Sequence, residues 1–343
     1  MPRLLLLAYG RETEYRRALL AALSCWAWRP QPGLAATICT DRPDFFRPYL
    51  AGLAIEYKLA TPEYLAQARG PLHFVHRVKA QFIAEAFAEH PTEELLFVDS
   101  DTFFIASPDS LLQKLAAGQA FMHLREYKLA EAVAIYADFN QAKYPEKLLE
   151  LLASRTFRLG GEPVQFHAGQ SSWNSGVLGL PRALAPLLPD ILVLTDELYA
   201  GTGWFTGEQL AFSLALQASG PVHASDEYVY HYWGQPQKKV MDKLLPTFFT
   251  PALAALPLAE RLQRVRQRVP WFQRQMELGK AQEDALYALR RGRLAAGLKC
   301  VAKALLTKPL DAKFMREVLR LLHRQTRLRH ARQWVRRAGT ARV

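Results

Sequence analysis

The stretch LLFVDSD, residues 95–101, places two aspartates directly after four consecutive apolar residues. A continuous apolar run of this length is typical of a strand that is buried on both faces of a sheet. We therefore expect Asp99 and Asp101 to lie at the carboxyl end of such a strand, where open α/β sheets have their ligand crevice. Two carboxylates separated by one residue can reach the same hard divalent cation.

The sequence on both sides of this stretch alternates short apolar runs with helical patterns. This alternation is typical of a sheet with helices on its faces, so the predicted fold class is α/β with a mostly parallel sheet. Besides residues 95–98, we predict strands at residues 4–9, 36–40 and 55–57, and a turn that leads into a strand at residues 173–180. We predict helices at residues 15–26, 76–88 and 207–218, and a late strand or loop at residues 229–233.

The net charge of +12 is concentrated near the C-terminus. From Leu258 onward the chain has 22 Lys and Arg residues against 6 Asp and Glu, whereas the remainder has 22 against 26. From about residue 252 the sequence is also nearly all helix-forming. We therefore predict two domains, a catalytic domain at residues 1–250 and a basic amphipathic helical region at residues 251–343.

Cysteine usage and hydropathy indicate the compartment. The three cysteines are far apart and form no CxxC pair, which argues against a disulfide framework and against a zinc ribbon. The longest apolar region, residues 176–194, is interrupted by prolines and charged residues, and it falls short of the roughly 20 apolar residues that a membrane span needs. We expect a cytoplasmic protein, peripheral on the inner face of the membrane.

An Asp-x-Asp after a strand is a weak signal by itself, because aspartate also caps turns and helices. Here the residues around Asp99 resemble the DxD segment of GT-A nucleotide-sugar transferases, and three further segments follow in the order of that fold. NSGVL at 174–178, GEQLAF at 207–212 and HYWG at 231–234 are similar to its later motifs, especially in family 8-like transferases. The resemblance covers roughly residues 3–240.

This resemblance implies a metal site. Asp99 and Asp101 would bind Mn²⁺ or Mg²⁺, and His231 would be the third protein ligand. An imidazole with carboxylates and phosphate oxygens suits Mn²⁺, and such a cation bridges diphosphate oxygens and stabilises the leaving group. The alternative for His231 is a histidine packed in an aromatic cluster with Tyr230, Tyr232 and Trp233.

The resemblance also assigns side chains to the donor, a nucleotide-diphosphate sugar: Tyr9, Asp41, Arg77, Lys79, Ser100 and Lys238. Tyr9 and Asp41 follow the first two predicted strands, where the fold holds the base and the ribose. Lys79 is preferred for the diphosphate, with a solvated helix face as the alternative. Lys238 departs from the family pattern, because its spacing from the late histidine is one residue longer and the family's following Pro-Trp is replaced by Lys-Val.

On the acceptor side, the resemblance assigns sugar contacts to Asn174, Ser175 and Gly176, although Asn174 could instead cap the turn. Glu208 is a candidate general base if the enzyme inverts, and Gln209 lies where a family 8 enzyme has an amide if it retains. Glu208 replaces the usual Asp. It could also be a carboxylate that the helix dipole favours at an N-terminus.

The function that these features predict is a metal-dependent glycosyltransferase of the hexosyltransferase type. It would move a sugar from a UDP-sugar to a hydroxyl of a glycan or lipid-linked acceptor, in bacterial surface glycan synthesis. A phosphatase of the haloacid dehalogenase type would instead use Asp99 as nucleophile and Asp101 as acid, but its motif belongs on the first strand of the chain. A non-catalytic scaffold with a GT-A fold, tethered to the membrane, is the third alternative.

The basic C-terminal region has apolar residues at helical spacing between residues 289 and 322, interleaved with lysines and arginines. Its apolar face could pack on the catalytic domain and leave a solvated basic face. The other interpretation is attachment to an anionic membrane surface. Nucleic acid is not expected, because no recognition motif accompanies the charge.

Overall fold

The computed structural model describes residues 2–29, 33–309 and 311–324. Its strands are β1 (Arg3–Leu7), β2 (Ala35–Thr40), β3 (Ile55–Leu59), β4 (Leu95–Val98), β5 (Thr102–Phe104), β6 (Ala120–Met122), β7 (Arg125–Lys128), β8 (Phe157–Leu159), β9 (Glu162–Val164), β10 (Ser171–Trp173), β11 (Val177–Leu180), β12 (Val222–Ala224) and β13 (Val229–His231).

Its α-helices are α1 (Glu12–Trp28), α2 (Pro43–Leu50), α3 (Pro62–Ala68), α4 (Arg77–Glu89), α5 (Asp109–Ala116), α6 (Ala132–Ala137), α7 (Lys143–Ser154), α8 (Leu188–Thr202), α9 (Gly207–Ser219), α10 (Gln235–Phe248), α11 (Pro251–Ala254), α12 (Leu258–Arg290) and α13 (Leu294–Thr307). Two 3-10 helices lie at Leu129–Glu131 and Arg182–Leu187, and residues 312–324 are also helical.

Seven strands form one sheet in the order β12-β6-β11-β4-β1-β2-β3. Strands β4, β1, β2 and β3 run parallel to one another, and so do β12 and β6. Strand β11 is antiparallel to both of its neighbours, β4 and β6. The predicted fold class, an α/β fold with a mostly parallel sheet flanked by helices and followed by C-terminal helices, is confirmed.

Strand β4 lies in the interior of this sheet, and all four of its side chains are fully buried. Helix α4 packs beside it with Phe82 and Ile83 buried, and helices α8 and α9 add Leu194 and Phe212 to the same core. Each such side chain contributes about 1.5–3 kcal/mol when it is fully buried. The carboxyl end of β4 is therefore a rigid support for the two aspartates that follow it.

Two short antiparallel pairs lie beside the main sheet. Strand β5 pairs with β13, in a register that places Thr102 opposite His231. Strand β7 pairs with β10. Since Thr102 directly follows the DSD stretch, the first pair brings a histidine from late in the sequence next to the two aspartates.

The chain divides into two compact units. The first comprises the described residues up to His231 together with Leu245–Val269, and the second comprises Tyr232–Leu244 and the described residues from Pro270 onward. The second unit has its own small core, formed by Leu278, Ala281, Ala285, Leu289, Val301, Ala304, Phe314, Val318 and Leu321. The predicted domain boundary at residue 250 stays a prediction. Among the described helices, none combines the length and the hydropathy that a membrane-crossing helix requires.

Ser24 on α1 connects that helix to β5. Its buried hydroxyl accepts a hydrogen bond from the Phe104 amide at 2.9 Å and donates one to the Ala21 carbonyl at 3.0 Å. We expect Ser24→Ala to lower the free energy of unfolding by about 1–3 kcal/mol, because the buried amide loses its acceptor. Urea denaturation measures this change, and Ser154→Ala, which removes an exposed hydroxyl bonded to the Glu150 carbonyl, is the control. Equal losses in the two variants would contradict the expectation.

Candidate metal centre and active site

Asp99, Asp101 and His231 converge at the carboxyl end of β4. One ligand atom from each lies within 4.8 Å of the others. Asp101 and His231 are buried, and the His231 Nε2 lies 3.3 Å from Asp101 Oδ1. The three residues predicted as metal ligands are therefore brought together, as two carboxylates and one imidazole.

The protonation of the His231 ring follows from its neighbours. Asn174 Oδ1 accepts the Gly176 amide hydrogen at 3.0 Å, so this atom must be the oxygen of the Asn174 side chain. The same oxygen lies 2.8 Å from His231 Nδ1, which must therefore donate a proton to it. In the neutral ring the lone pair is then on Nε2 and faces the Asp101 carboxylate. Two carboxylates and an imidazole nitrogen that converge in this way form a donor set that fits a divalent metal ion.

Gly176 is needed where the His231 ring packs. A Cβ atom on Gly176 would lie 2.2 Å from both Cε1 and Nδ1 of His231, which no side chain can occupy without moving the ring. The Gly176 carbonyl also accepts the Asp99 amide hydrogen at 2.9 Å. The residue thus leaves space for one candidate ligand and fixes the backbone of another; its predicted sugar contact stays a prediction.

Lys79 is buried beside the aspartates and does not lie on a solvated helix face. Its Nζ lies 3.3 Å from Asp99 Oδ1 and 3.5 Å from Glu208 Oε2, and it donates to Ser175 Oγ at 3.0 Å. Burial lowers the pKa of Lys79, but the two neighbouring carboxylates outweigh that effect and raise it above its ordinary value. Lys79 is thus a charged ammonium between two acidic groups.

Glu208, at the start of α9, is 3% exposed. Its Oε2 accepts a hydrogen bond from Ser175 Oγ at 3.2 Å, whereas Oε1 has no hydrogen-bond partner among the described residues. Burial raises the pKa of Glu208 to about 7; Lys79 opposes the shift and Asp99 adds to it. A carboxyl group in this state can exchange a proton near neutral pH.

Glu126 on β7 is a site residue that the sequence analysis missed. Its Oε2 accepts hydrogen bonds from Gln209 Nε2 at 2.9 Å and from Ser172 Oγ at 3.2 Å, and its Oε1 accepts one from Asn174 Nδ2 at 3.2 Å. The Gln209 Oε1 accepts the Ser175 amide hydrogen at 3.3 Å. Glu126 belongs to no recognisable motif. It lies in a strand of four residues, which is too short for an alternation of apolar and polar side chains to be recognised.

The predicted nucleotide residue Tyr9 lies at a cavity of about 450 Å³, lined by residues 7–11, Glu14, Val75 and His76. Tyr9 lines it directly, and Ser100 Oγ donates to Glu14 Oε2 at 2.7 Å. Asp41 accepts the Gly10 amide hydrogen at 3.1 Å and is thereby attached to the same rim. Tyr9 thus lines the cavity, and Asp41 and Ser100 are each hydrogen-bonded to a residue that lines it.

The two remaining donor candidates lie in other environments. The Arg77 guanidinium donates to both oxygens of Asp196 on α8, at 2.9 and 3.0 Å, and also to the Ala68 carbonyl. Lys238 lies on α10 in the second unit and is half-buried. Their contacts with the nucleotide stay predictions.

No family model matches the chain, and no curated protein matches it. Among solved structures, the fold is similar to that of the galactosyltransferase LgtC in complex with donor and acceptor sugar analogues, at 15% identity over 72% of this chain and 96% of that chain, with a TM-score of 0.47. It is also similar to the glycosyltransferase GlyE of Streptococcus pneumoniae, at 12% identity over 80% of this chain and 64% of that one, with a TM-score of 0.44.

A third similar structure is that of mouse xyloside xylosyltransferase 1, at 15% identity over 66% of this chain and 85% of that chain, with a TM-score of 0.41. These three structures are of glycosyltransferases. Similarity at this level does not transfer an activity, because one fold supports many reactions. The function has to be argued from the chain's own site.

The raised pKa of Glu208 gives a pH dependence that can be measured. Between the ordinary carboxyl value of 4.5 and about 7, the folded protein keeps a proton on Glu208 that the unfolded chain has released. Raising the pH through this window therefore lowers the stability, by about 3 kcal/mol for a shift of this size. We expect Glu208→Gln, which stays neutral, to remove this slope in urea denaturation with EDTA present. Glu146→Gln, at an exposed position of α7, is the control. A wild-type slope preserved in Glu208→Gln would show that Glu208 titrates normally.

Proposed function

We propose that the protein is a metal-dependent glycosyltransferase that moves a sugar from a UDP-sugar to an acceptor hydroxyl. The observation that carries the proposal is the convergence of Asp99 and Asp101 with an imidazole whose ring nitrogen Nε2 is turned toward them by Asn174. A divalent cation bound by these residues would supply electrostatic stabilisation of the diphosphate leaving group.

The donor nucleotide is proposed to lie in the cavity beside Tyr9. Its volume of about 450 Å³ falls within the range of small-molecule sites, about 300–1,000 Å³. Tyr9 offers an aromatic face for the base, and Asp41 offers a carboxylate for ribose hydroxyls. Ser100, which lies between the two candidate ligand aspartates, connects this cavity to the metal centre through Glu14.

Lys79 supports the proposal through its charge. The two aspartates and a diphosphate would repel one another, and a buried ammonium 3.3 Å from Asp99 offsets part of that repulsion. Because Lys79 also contacts Glu208, it ties the proposed donor side of the site to the proposed acceptor side. Its contact with the diphosphate itself remains part of the proposal.

Two routes are open for the acceptor hydroxyl. In an inverting transfer, Glu208 would take the proton of the hydroxyl; its pKa of about 7 and its oxygen without a hydrogen-bond partner among the described residues suit a general base. In a retaining transfer, Gln209 would supply an amide beside the sugar, and Asn174 would contact sugar hydroxyls. Both polar ends of Gln209 are engaged by protein groups, whereas Glu208 Oε1 has no hydrogen-bond partner among the described residues.

The phosphatase alternative is not favoured. It would require the Asp-x-Asp to follow the first strand of the chain, whereas Asp99 follows β4, after three earlier strands of the same sheet. The scaffold alternative predicts binding without turnover. Incubation with a panel of nucleotide sugars, with and without Mn²⁺, separates the two remaining functions, and the anomeric configuration of the product distinguishes the two routes.

Nucleotide binding should require the metal. We expect UDP to bind the chain in the presence of Mn²⁺ and to bind at least tenfold more weakly in EDTA, because the carboxylates otherwise repel the diphosphate. His231→Ala should lower both the Mn²⁺-dependent affinity and the turnover while the fold is retained. Calorimetry and thermal unfolding measure these effects, with His223→Ala, which replaces an exposed histidine, as the control.

Equal UDP affinity in EDTA and in Mn²⁺ would contradict the proposed function. A loss of several kcal/mol of stability in His231→Ala would favour the aromatic-cluster role.

For the C-terminal region, we propose attachment to the anionic inner face of a membrane, where a lipid-linked acceptor would be found. Many of its apolar side chains are used in the core of the second unit, but Leu298 and Leu306 on α13 are 48% and 86% exposed. Leu298 lies one residue before Lys299, and Leu306 lies three residues after Lys303. Both lysines are exposed. Each basic residue near an anionic surface contributes about 1 kcal/mol.

Vesicle sedimentation tests this attachment with the full-length chain. A truncation at the predicted boundary would remove Arg261, which donates to the Ala51 carbonyl within the first unit. We expect binding to anionic vesicles that falls as salt shortens the Debye length from about 10 Å at 0.1 M to about 3 Å at 1 M. Replacement of Lys299 and Lys303 by glutamate should abolish it. The same replacement of Lys143 and Lys147 on α7 is the control. If the wild-type chain ignores anionic vesicles at low salt, the attachment is wrong.

A further inference from the structure

We propose that Glu126 is a positioning residue that orients the candidate metal ligand His231 and the amide of Gln209 at the same time. This inference rests on the proposed function. Glu126 contacts neither His231 nor any of the candidate metal ligands in the hydrogen bonds that the structure shows; it acts through two side-chain amides, and it is one of the groups that hold each of them in its orientation.

The backbone at Glu126 is irregular in a way that turns its side chain into the site. In the pairing of β10 with β7, Ser172 is opposite Tyr127 and Trp173 is opposite Arg125. Glu126 is therefore the extra residue of a β-bulge. Bulges re-aim side chains and recur next to active sites. Here the bulge lets the Glu126 carboxylate meet side chains of β10, of the following turn and of α9.

The first branch leads to the metal centre. A carboxylate can only accept hydrogen bonds, so Asn174 must present its Nδ2 to Glu126 Oε1, at 3.2 Å. The Asn174 Oδ1, which also accepts the Gly176 amide hydrogen at 3.0 Å, is then turned to His231 Nδ1, at 2.8 Å. This leaves His231 Nε2 to face Asp101. Such chains from a carboxylate to a ligating histidine orient the ring and fix its tautomer.

The second branch leads to the acceptor side. Glu126 Oε2 accepts from Gln209 Nε2 at 2.9 Å, so the Gln209 Oε1 is turned to the Ser175 amide, at 3.3 Å. Ser172 Oγ donates to the same carboxylate oxygen at 3.2 Å. Gln209 Nε2 also donates to Ser172 Oγ at 3.1 Å, and Ser172 in turn donates to Glu126, so loss of the carboxylate would remove the acceptor that both groups share. One carboxylate therefore holds two amides that belong to different parts of the proposed reaction.

The residue type matters because both oxygens of Glu126 are acceptors in use. A glutamine of the same size offers one oxygen and one NH₂ group. Whichever way it is placed, its NH₂ group faces either Asn174 Nδ2 or the donor pair of Gln209 and Ser172. At least one amide must then turn over or lose its partner.

Mn²⁺ titration of the metal-free protein by calorimetry, with no sugar nucleotide present, tests the first branch. We expect Glu126→Gln to bind Mn²⁺ about 10–100-fold more weakly than wild type, as is found when the outer partner of a ligating histidine is removed. Thermal unfolding is measured in parallel to verify that the variant is folded. Glu146→Gln, the same change at an exposed position of α7, should bind like wild type.

A double-mutant cycle separates positioning from a general loss of structure. If Glu126 acts through His231, then Glu126→Gln should cause no further loss of Mn²⁺ affinity in a His231→Ala background, whereas unrelated defects would add. Wild-type affinity in folded Glu126→Gln, or additive losses in the cycle, would overturn this inference alone. A wild-type chain that binds no Mn²⁺ would overturn the proposed function and this inference with it.

Discussion

Repulsion among buried acidic groups is the constraint on which the site depends. Asp99, Asp101 and Glu208 lie in one largely buried region, and each charge placed there costs free energy unless a partner or a proton compensates it. Lys79 lies against Asp99 and Glu208, and the raised pKa of Glu208, about 7, keeps a proton on that carboxyl group below neutral pH. The proposed cation would add a further positive charge to this region and would reduce the repulsion that the protein groups offset only in part.

The sequence predicts the parts of this arrangement that local patterns encode. Strand β4 has the predicted bounds, because four apolar residues in a row fit a strand buried on both faces, and α9 begins at the predicted Gly207. The helical spacing of Val78, Phe82 and Ile83 also predicts the buried face of α4, and all three are buried. Residues two apart on a helix point to different sides. Lys79 accordingly faces the aspartates, whereas Arg77 pairs with Asp196 on α8.

The remaining parts depend on contacts between distant segments of the chain. Strands β7 and β10 have four and three residues, too few for an alternation to stand out, and the bulge at Glu126 exists only through their pairing. The small core of the second unit is another arrangement that local sequence patterns do not predict. Apolar residues at helical spacing predict that a helix buries one face, but the spacing does not say that Leu289, Val301 and Val318 bury theirs against one another.

The reversed direction of β11 explains why the turn before it belongs to the site. Because β11 runs antiparallel to β4, Val177 lies opposite Val98, and the residues before Val177 lie beside the residues after Val98. A parallel strand in this position would place its carboxyl end there instead. The reversal brings the Gly176 carbonyl to the Asp99 amide, and it places Asn174 where its side chain can meet His231 and Glu126. One antiparallel strand in a mostly parallel sheet thus supplies the turn that joins the candidate metal ligands to the groups behind them.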